Sequence, residues 1–315
     1  MKNLRIVFMG TPEFAVGILD TILKNKYNIV GVITAADKPA GRGQKIKYSA
    51  VKEYAITNQL YLLQPTSLKD PVFLDELKSL NANLQIVVAF RMLPEAVWNM
   101  PELGTFNLHA SLLPNYRGAA PINWAIINGE TTTGVTTFFI DDKIDTGAMI
   151  CNAVVDITPT ENAGELHDKL LAVGGATVLK TLALIENENV QTTIQEDVAA
   201  NKSAHKLNKE NCKIDFSKSG TEIYNLIRGL SPYPAAWCEL IDGADIHTIK
   251  IYEAHFTPTA HSFEVGNVQS TKKELKIVLK DGFLDIKTLQ LSGKKKMKSH
   301  ELLNGIAFSD KTKIY

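Results

Sequence analysis

Residues 4–23 read LRIVFMGTPEFAVGILDTIL, and this stretch decides the class of fold. It opens with a nearly continuous apolar run that ends at Gly10, which is typical of a buried strand. From Pro12 to about Leu23 the apolar residues recur with helical spacing. Pro12 suits a first helical turn, because its missing N–H would have no partner there. The stretch therefore predicts a strand, a tight turn and a helix.

Strands and helices continue to alternate further along the chain. Strand-like apolar runs lie at residues 28–34, 60–65, 84–90, 105–110, 134–140 and 148–157, and helical patterns lie at 49–59, 71–80, 120–129 and 163–185. Apolar strands that alternate with helices form a parallel sheet covered on both faces. We therefore predict an α/β fold with a doubly wound, mostly parallel sheet.

The C-terminal third follows a different pattern. Residues 189–207 are polar and poorly periodic, which predicts a linker. A helix at 219–230 then precedes several short strands, a succession typical of a small antiparallel β-barrel of the oligonucleotide-binding (OB) type. A length of 315 residues also favours two domains. The predicted division is a domain at 1–188, a linker at 189–207 and a barrel at 208–315.

Composition restricts the class of protein. Hydrophobic residues make up 45% of the chain and charged residues 22%, as in ordinary globular proteins. The cysteines, Cys151, Cys212 and Cys238, have neither metal-ligand spacing nor the even number of a secreted disulfide framework. No signal-like segment is present, and no stretch approaches the roughly 20 apolar residues that span a bilayer. We expect a cytoplasmic protein with no membrane contact, and a monomer because no heptad pattern occurs.

The net charge of zero conceals an asymmetry. Residues 206–315 carry 17 Lys and Arg against 13 Asp and Glu, so this third has a net charge of +4 and the rest of the chain −4. Such a division points weakly to a polyanionic partner. A solvated lysine surface explains the same charge, and the composition leaves both interpretations open.

Two polar residues mark the run TFNLHA at 105–110. Asn107 and His109 are two positions apart, so in a strand both project from one face while Phe106 and Leu108 project from the other. Ligands of open parallel sheets bind beyond the carboxyl ends of the strands. The pair is therefore a candidate site, although a hydrogen-bonded core histidine beside a turn-forming asparagine fits the spacing equally well.

Several other kinds of site find little support in the sequence. The acidic loop DDKIDTG at 141–147 has Lys143 and Thr146 where a calcium loop requires an acidic ligand and a glycine. One His and one Asp near an Asn make a poor zinc site. No G-x-G-x-x-G follows the first strand, so a redox dinucleotide is unsupported. We predict that no metal takes part.

Several longer motifs carry a family resemblance. They are FMGTPEFAV at 8–16, DKPAGRGQKIK at 37–47, VVAFRMLP at 87–94, FNLHASLLPNYRGAAPINWAI at 106–126, IDTG at 144–147, LSPYPAAW at 230–237 and LQLSGKKKM at 289–297. With them the chain resembles the folate-dependent formyltransferases over essentially its whole length. The combination N-x-H, SLLP and D-x-G at this spacing is far more specific than any one motif.

The resemblance implies a formyl donor, 10-formyltetrahydrofolate, and a catalytic trio of Asn107, His109 and Asp145. It also implies that the folate contacts three segments of the first domain. These are Phe90, Arg91, Met92 and Leu93; Ser111, Leu112, Leu113 and Pro114; and Ile140, Asp141 and Asp142.

Formyl transfer needs residues of these types. A neutral amine attacks the formyl carbon, and negative charge develops on the formyl oxygen. The Asn107 amide and an N–H of His109 could donate to that oxygen, and losing one such donor typically costs about 3 to 4 kcal/mol of transition-state stabilisation. Asp145 would favour the charged imidazole and hold its tautomer, or would take the proton that the amine sheds. The sequence leaves both roles of Asp145 open.

The resemblance extends to the acceptor. The segment 37–47 is similar to an inserted loop found in those family members that formylate initiator methionyl-tRNA for translation initiation. Its glycines would let it order when RNA arrives, although a mobile solvated loop is the alternative. Lysines of the C-terminal domain would contact RNA phosphates without reading sequence. The residues expected to bind tRNA are Lys38, Arg42, Lys45, Lys47, Lys294, Lys295, Lys296 and Lys298.

The predicted function is therefore transfer of a formyl group to the α-amino group of initiator methionyl-tRNA. Two other functions remain open: formylation of an amino-sugar nucleotide, and RNA binding without catalysis by a protein that keeps a formyltransferase-like domain.

Overall fold

The computed structural model describes residues 2–40, 45–243, 245–306, 308–309 and 312–315. The chain divides into two compact units made of interleaved segments. The first consists of Met1–Gly118, Thr133–Val155 and His167–Ser203, and the second of Ala119–Thr132, Asp156–Leu166 and Ala204–Tyr315. The limits of 1–188, 189–207 and 208–315 inferred from the sequence stay predictions.

Up to residue 186 the elements follow one another in this order: β1 Arg5–Gly10, α1 Glu13–Lys24, β2 Asn28–Ile33, β3 Lys38–Ala40, β4 Lys45–Lys47, α2 Ala50–Thr57, β5 Leu62–Leu63, α3 Pro71–Ser79, β6 Leu84–Val88, α4 Glu95–Trp98, β7 Thr105–His109, β8 Arg117–Gly118, α5 Pro121–Ile127, β9 Thr132–Phe139, β10 Met149–Asp156 and α6 Ala163–Glu186. The alternation expected from the sequence is present.

The first unit is built on a seven-stranded sheet with the order β10-β9-β7-β6-β1-β2-β5. Strand β1 pairs in parallel with β2 and β6, and β6 pairs in parallel with β7, whereas β7 and β9 are antiparallel. Ile6, Val7, Phe8 and Met9 are fully buried in the central strand. The prediction of a mostly parallel α/β sheet is confirmed, and the antiparallel pair brings β9 beside the carboxyl end of β7.

The connection from β1 to α1 is as tight as its sequence suggests. A Cβ at Gly10 would lie 2.5 Å from the Ala15 Cβ, so only glycine allows this approach. Pro12 is the N-cap, and α1 begins one residue later than its pattern predicts, at Glu13. The extended backbone that Pro12 adopts, with ψ 178°, stands outside the helical range and delays the first turn.

The remaining elements are β11 Ser203–Ala204, α7 Gly220–Leu230, β12 Ala236–Asp242, β13 Asp245–Pro258, β14 Val268–Ser270, β15 Leu275–Leu279, β16 Gly282–Leu291, β17 Met297–Lys298, α8 Ser299–Leu303 and β18 Lys313–Ile314. The sheet order β14-β15-β16-β13-β12-β18 is antiparallel throughout. Its two ends meet, since the Val268 N–H donates to the Thr312 carbonyl at 3.2 Å and the Ile314 N–H to the Gly266 carbonyl at 2.9 Å. The prediction of a small OB-like barrel is confirmed.

Helix α7 packs on this barrel. Its first turn is held by a capping box, in which the Glu222 N–H donates to Ser219 Oγ and the Ser219 N–H to the Glu222 carboxylate. Ile223, Ile227 and Leu230 project from one helical face into the barrel core and are almost completely buried. In the described part of the chain, no helix is both long enough and apolar enough to cross a bilayer.

Candidate active site

Strand β7 carries the polar pair found in the sequence. Phe106 and Leu108 are buried in the core, and on the other face of the strand His109 is only 6% exposed and Asn107 is half-buried. The Asn107 Oδ1 atom is buried and has no hydrogen-bond partner in the described structure. A buried polar atom without a partner is uncommon in folded proteins, which makes Asn107 a candidate for contact with a ligand.

The two nitrogens of the His109 ring face different groups. Nε2 lies 2.8 Å from the Tyr116 carbonyl oxygen, which can only accept, so Nε2 carries a hydrogen and donates it. Nδ1 lies 3.8 Å from Asp145 Oδ2, an ion-pair distance and longer than a hydrogen bond. With Nε2 committed to Tyr116, Nδ1 is the nitrogen that can exchange a proton.

Asp145 comes from the loop between β9 and β10. Its backbone is left-handed, with φ 56°, a conformation that aspartate tolerates better than most residues. The Gly118 N–H donates to Asp145 Oδ2 at 2.9 Å. The side chains of His109 and Asp145 are 7% and 14% exposed, so little water screens their interaction. The structure thus brings together two residues that are distant in the sequence.

Gly147, the last residue of the D-x-G motif, fits tightly behind Asp145. A Cβ at this position would lie 1.7 Å from the Phe139 carbonyl oxygen, which no side chain can tolerate. The loop therefore requires glycine here for steric reasons alone.

The segment Ser111–Pro114 follows β7 directly. Ser111 Oγ donates to the Asn115 carbonyl at 2.7 Å, and the Ser111 carbonyl accepts from Thr136 Oγ1 at 2.7 Å. The Leu113 N–H donates to the same Thr136 hydroxyl at 3.2 Å, and the Leu113–Pro114 peptide bond is cis. A single β9 side chain therefore fixes the backbone of this segment beside the His109 ring.

Of the residues predicted to contact folate after β6, only some have side chains free to do so. The Arg91 guanidinium donates to the carbonyls of Pro65 and Thr66 at 2.6 and 3.0 Å, which makes it a brace for the loop. Leu93 is buried in the core, and Phe90 packs against the same cluster. Met92 is 66% exposed, so its side chain is available to a ligand.

The third predicted folate segment shapes the loop that carries Asp145. The Ile140 N–H donates to the Thr105 carbonyl at 2.8 Å and so joins the segment to β7. The Asp141 carboxylate accepts from Thr146 Oγ1 at 2.8 and 3.0 Å and from the Lys143 N–H at 3.1 Å, whereas Asp142 is exposed. The Asp141 side chain is thus occupied by its own loop.

Two family models match the chain, and together they cover most of it. The first, described as formyl transferase, matches residues 4–182, and the second, described as formyl transferase, C-terminal domain, matches residues 206–307. The chain belongs to the formyltransferase family. The prediction that this protein is a formyltransferase is thereby confirmed.

Individual relatives agree with this assignment. The chain is 72% identical to a methionyl-tRNA formyltransferase of Flavobacterium johnsoniae over the full length of both proteins, and 53% identical to one of Bacteroides thetaiotaomicron over 99% of each. Among solved structures it is similar to an N-formyltransferase of Helicobacter canadensis crystallised with folinic acid and dTDP-3-aminofucose. That likeness has a TM-score of 0.66 at 24% identity, covers 93% of this chain and all of the other, and concerns the fold alone.

The segment 37–47 of this formyltransferase differs in part from the loop that its composition predicts. Strands β3 and β4 form a short antiparallel ribbon in which the backbones of Lys38 and Lys47 pair. The Lys-Ile-Lys alternation of β4 suits such a ribbon. Lys47 is exposed, Lys45 contributes its backbone to β4, and Arg42 lies outside the described residues.

The lysine cluster of the C-terminal unit consists of Lys294, Lys295 and Lys296, in the turn between β16 and β17, and Lys298, the last residue of β17. All four are exposed. The Lys296 ammonium stands 4.4 Å above the Tyr252 ring, and that of Lys298 lies 2.8 Å from Glu253. The hydrogen bonds from Lys298 and Thr288 hold the pKa of Glu253 below its usual range. Lys298 is therefore held in an ion pair with Glu253.

Two groups of the site could not be found from the sequence. Tyr116 contributes a backbone carbonyl, which any residue could supply, and Gln195 lies in the segment predicted as a linker. Its carboxamide is buried and contacts the Asp145 loop. Within the described ranges, no group of three His, Cys, Asp or Glu side chains is placed to hold a metal ion.

Proposed function

We propose that this protein transfers the formyl group of 10-formyltetrahydrofolate to the α-amino group of initiator methionyl-tRNA, as a cytoplasmic monomer that serves translation initiation. The observation that carries the proposal is the close approach of His109 and Asp145 beside Asn107, whose buried Oδ1 has no partner in the described structure, in a chain of the formyltransferase family. The acceptor is proposed from the full-length similarity to methionyl-tRNA formyltransferases.

The residues at the end of β7 fit the proposed donor. A formyl-folate supplies a carbonyl carbon bonded to nitrogen, and its oxygen needs hydrogen-bond donors as charge develops. The Asn107 carboxamide has a buried polar atom without a partner, and rotation of the amide exchanges its oxygen and nitrogen at that place. An N–H there would donate to the formyl oxygen. The exposed Met92 side chain is available to the ring system of the folate.

His109 and Asp145 would then handle the proton of the attacking amine. Nε2 of His109 is held by Tyr116, so Nδ1 is the nitrogen that donates to the formyl oxygen or receives a proton. Asp145 either accepts the amine proton directly or stabilises the charged ring. The proton then passes to the folate nitrogen as its bond to the formyl carbon breaks, which releases tetrahydrofolate. The Gly118 N–H donates to Oδ2 and so fixes the position of the carboxylate.

One experiment separates this function from its alternatives. The purified protein is incubated with formyl-labelled 10-formyltetrahydrofolate and with methionyl-tRNA, dTDP-3-aminofucose or neither. We expect label on methionyl-tRNA alone. Label on the amino sugar would assign the chain to sugar formylation, and tRNA binding without transfer of label would assign it to RNA binding without catalysis.

The lysine cluster offers a test of the tRNA interface. Replacing all four lysines with alanine should weaken tRNA binding and lower the slope of log K against log salt by about 1 for each lysine that contacts a phosphate. Lys298 should contribute least, because Glu253 already compensates its charge. Binding is measured by filter retention over a salt titration. Replacing Lys272 and Lys273, exposed in the turn between β14 and β15, shows the effect of removing lysine charge outside the cluster. An unchanged slope in the quadruple variant would place the cluster outside the interface.

A further inference from the structure

Gln195 is a buried glutamine within a segment of exposed residues. It is 7% exposed, whereas Ile194 before it is 83% exposed and Glu196 after it is also exposed. Burying a carboxamide is costly unless its donors and acceptor find partners. The partners that Gln195 finds all belong to the backbone and side chains that surround Asp145.

The carboxamide uses both its donors and its acceptor. Nε2 donates to the Asp145 carbonyl at 3.0 Å and to the Gly147 carbonyl at 2.8 Å. Oε1 accepts from the Arg117 Nε–H at 3.0 Å. The Gln195 side chain thus binds two carbonyls of the loop that carries Asp145. Through Arg117 it also contacts strand β8.

That strand also supplies the donor for the Asp145 carboxylate. Arg117 is followed by Gly118, whose N–H donates to Asp145 Oδ2 at 2.9 Å. Gln195 therefore connects the backbone of Asp145 and Gly147 to strand β8, whose Gly118 N–H holds the Asp145 carboxylate. Since φ of Asp145 is 56°, the loop adopts a conformation that the surrounding contacts must maintain.

The segment is itself held in place. Thr193 and Met149 exchange two backbone hydrogen bonds, of 2.8 and 2.9 Å, which add the segment to the edge of β10. Next to this pairing, the Ile194 side chain points outward and that of Gln195 inward. The chain between the two family-model matches is therefore part of the site's support.

We propose that Gln195 is a positioning residue that sets where the Asp145 carboxylate lies relative to the His109 ring. The proposal rests on the catalytic role assigned to Asp145 above. Its physical basis is that displacing a reacting group by about 1 Å can cost about 100-fold in rate.

The test compares two variants with a matched control. Gln195→Met keeps the size of the side chain and removes all its hydrogen bonds, and Gln195→Glu keeps the acceptor for Arg117 but loses the donor to the two carbonyls. Gln191→Met makes the same change at an exposed position of the same segment. We expect both changes at position 195 to lower kcat at least about tenfold while KM for folate and tRNA stays within about twofold. The control should match the wild type.

Two further readouts distinguish positioning from stability. Hydrogen exchange at the Gly118 amide, measured in the unliganded protein, should become faster in both Gln195 variants. The hydrogen bond from this amide to the Asp145 carboxylate would be weakened when the loop is no longer held in place. The pH at which kcat is half-maximal should move in these variants and stay constant in Gln191→Met. A lower melting temperature with unchanged kcat, pH profile and Gly118 exchange would overturn the proposal and reduce Gln195 to a structural role.

Asp145→Asn, assayed in parallel, separates this inference from the proposed function. Loss of activity in Asp145→Asn together with normal kcat in both Gln195 variants would overturn the positioning role alone. Full activity in Asp145→Asn would overturn the catalytic assignment of Asp145 and the positioning role with it.

Discussion

Replacing His109 with glutamine is expected to lower kcat for formyl transfer by about 100-fold to 10,000-fold, the range that general acid–base and oxyanion groups usually contribute. The amide nitrogen of glutamine can still donate to the Tyr116 carbonyl, as Nε2 does now. It has no counterpart to Nδ1, the nitrogen that faces Asp145. Folate affinity should stay within about threefold, because the ring acts on the transition state rather than on ground-state binding.

His109→Ala should lose at least as much activity and should also unfold more readily, since it removes the buried hydrogen bond from the ring to the Tyr116 carbonyl, worth about 0.5 to 1.5 kcal/mol. The measurements are single-turnover formyl transfer, folate binding by fluorescence titration and thermal unfolding. His167→Gln is the matched control, because His167 Nδ1 contacts Asp168 Oδ1 at 2.9 Å on the protein surface. A folded His109→Gln protein with kcat within threefold of the wild type would remove His109 from the mechanism.

Replacing Asp145 with asparagine is expected to lower kcat by about 100-fold or more, while the fold survives. Asparagine tolerates the left-handed backbone of this position, and its Oδ1 can still accept the Gly118 N–H. The change therefore removes charge and proton affinity with little change in shape. Activity is measured with labelled donor under saturating methionyl-tRNA, and Asp168→Asn controls for loss of a carboxylate beside a histidine.

Combining the two changes distinguishes the two roles that remain open for Asp145. If the carboxylate acts through the imidazole, Asp145→Asn should have little further effect in the His109→Gln protein. If it takes the amine proton directly, the two losses should multiply. A wild-type rate in the single Asp145→Asn variant would exclude both roles.

The fold could be predicted from the sequence because its main signals are local. Strand β1 and helix α1 lie within a residue or two of their predicted positions, and the change to short strands after α7 marks the barrel. These elements follow from apolar periodicity, which depends on neighbours in the sequence. Exact limits depend on caps such as Pro12, which the pattern does not encode.

The site could be predicted only in part. The two-residue spacing of Asn107 and His109 indicated a common face, but only the family resemblance connected them with Asp145. The contacts of Tyr116 and Gln195 depend on how distant segments meet. The polar segment around Gln195 is predicted as a linker, because a single inward-facing residue leaves no periodic signal in the sequence. In the structure its neighbour Thr193 pairs with β10.

The tripeptide Asp145-Thr146-Gly147 combines two demands that a mutational scan could separate. Any side chain at Gly147 would clash with the carbonyl oxygen of Phe139, so every substitution there should lower the cellular amount of protein. Asp145→Asn should leave the cellular amount of protein nearly unchanged. It should reduce only the growth rate of cells that depend on the enzyme's activity. Measuring protein abundance and growth for every substitution along the loop would therefore distinguish two kinds of residue. Residues required for folding lower both quantities when they are replaced, and residues required for catalysis lower growth alone.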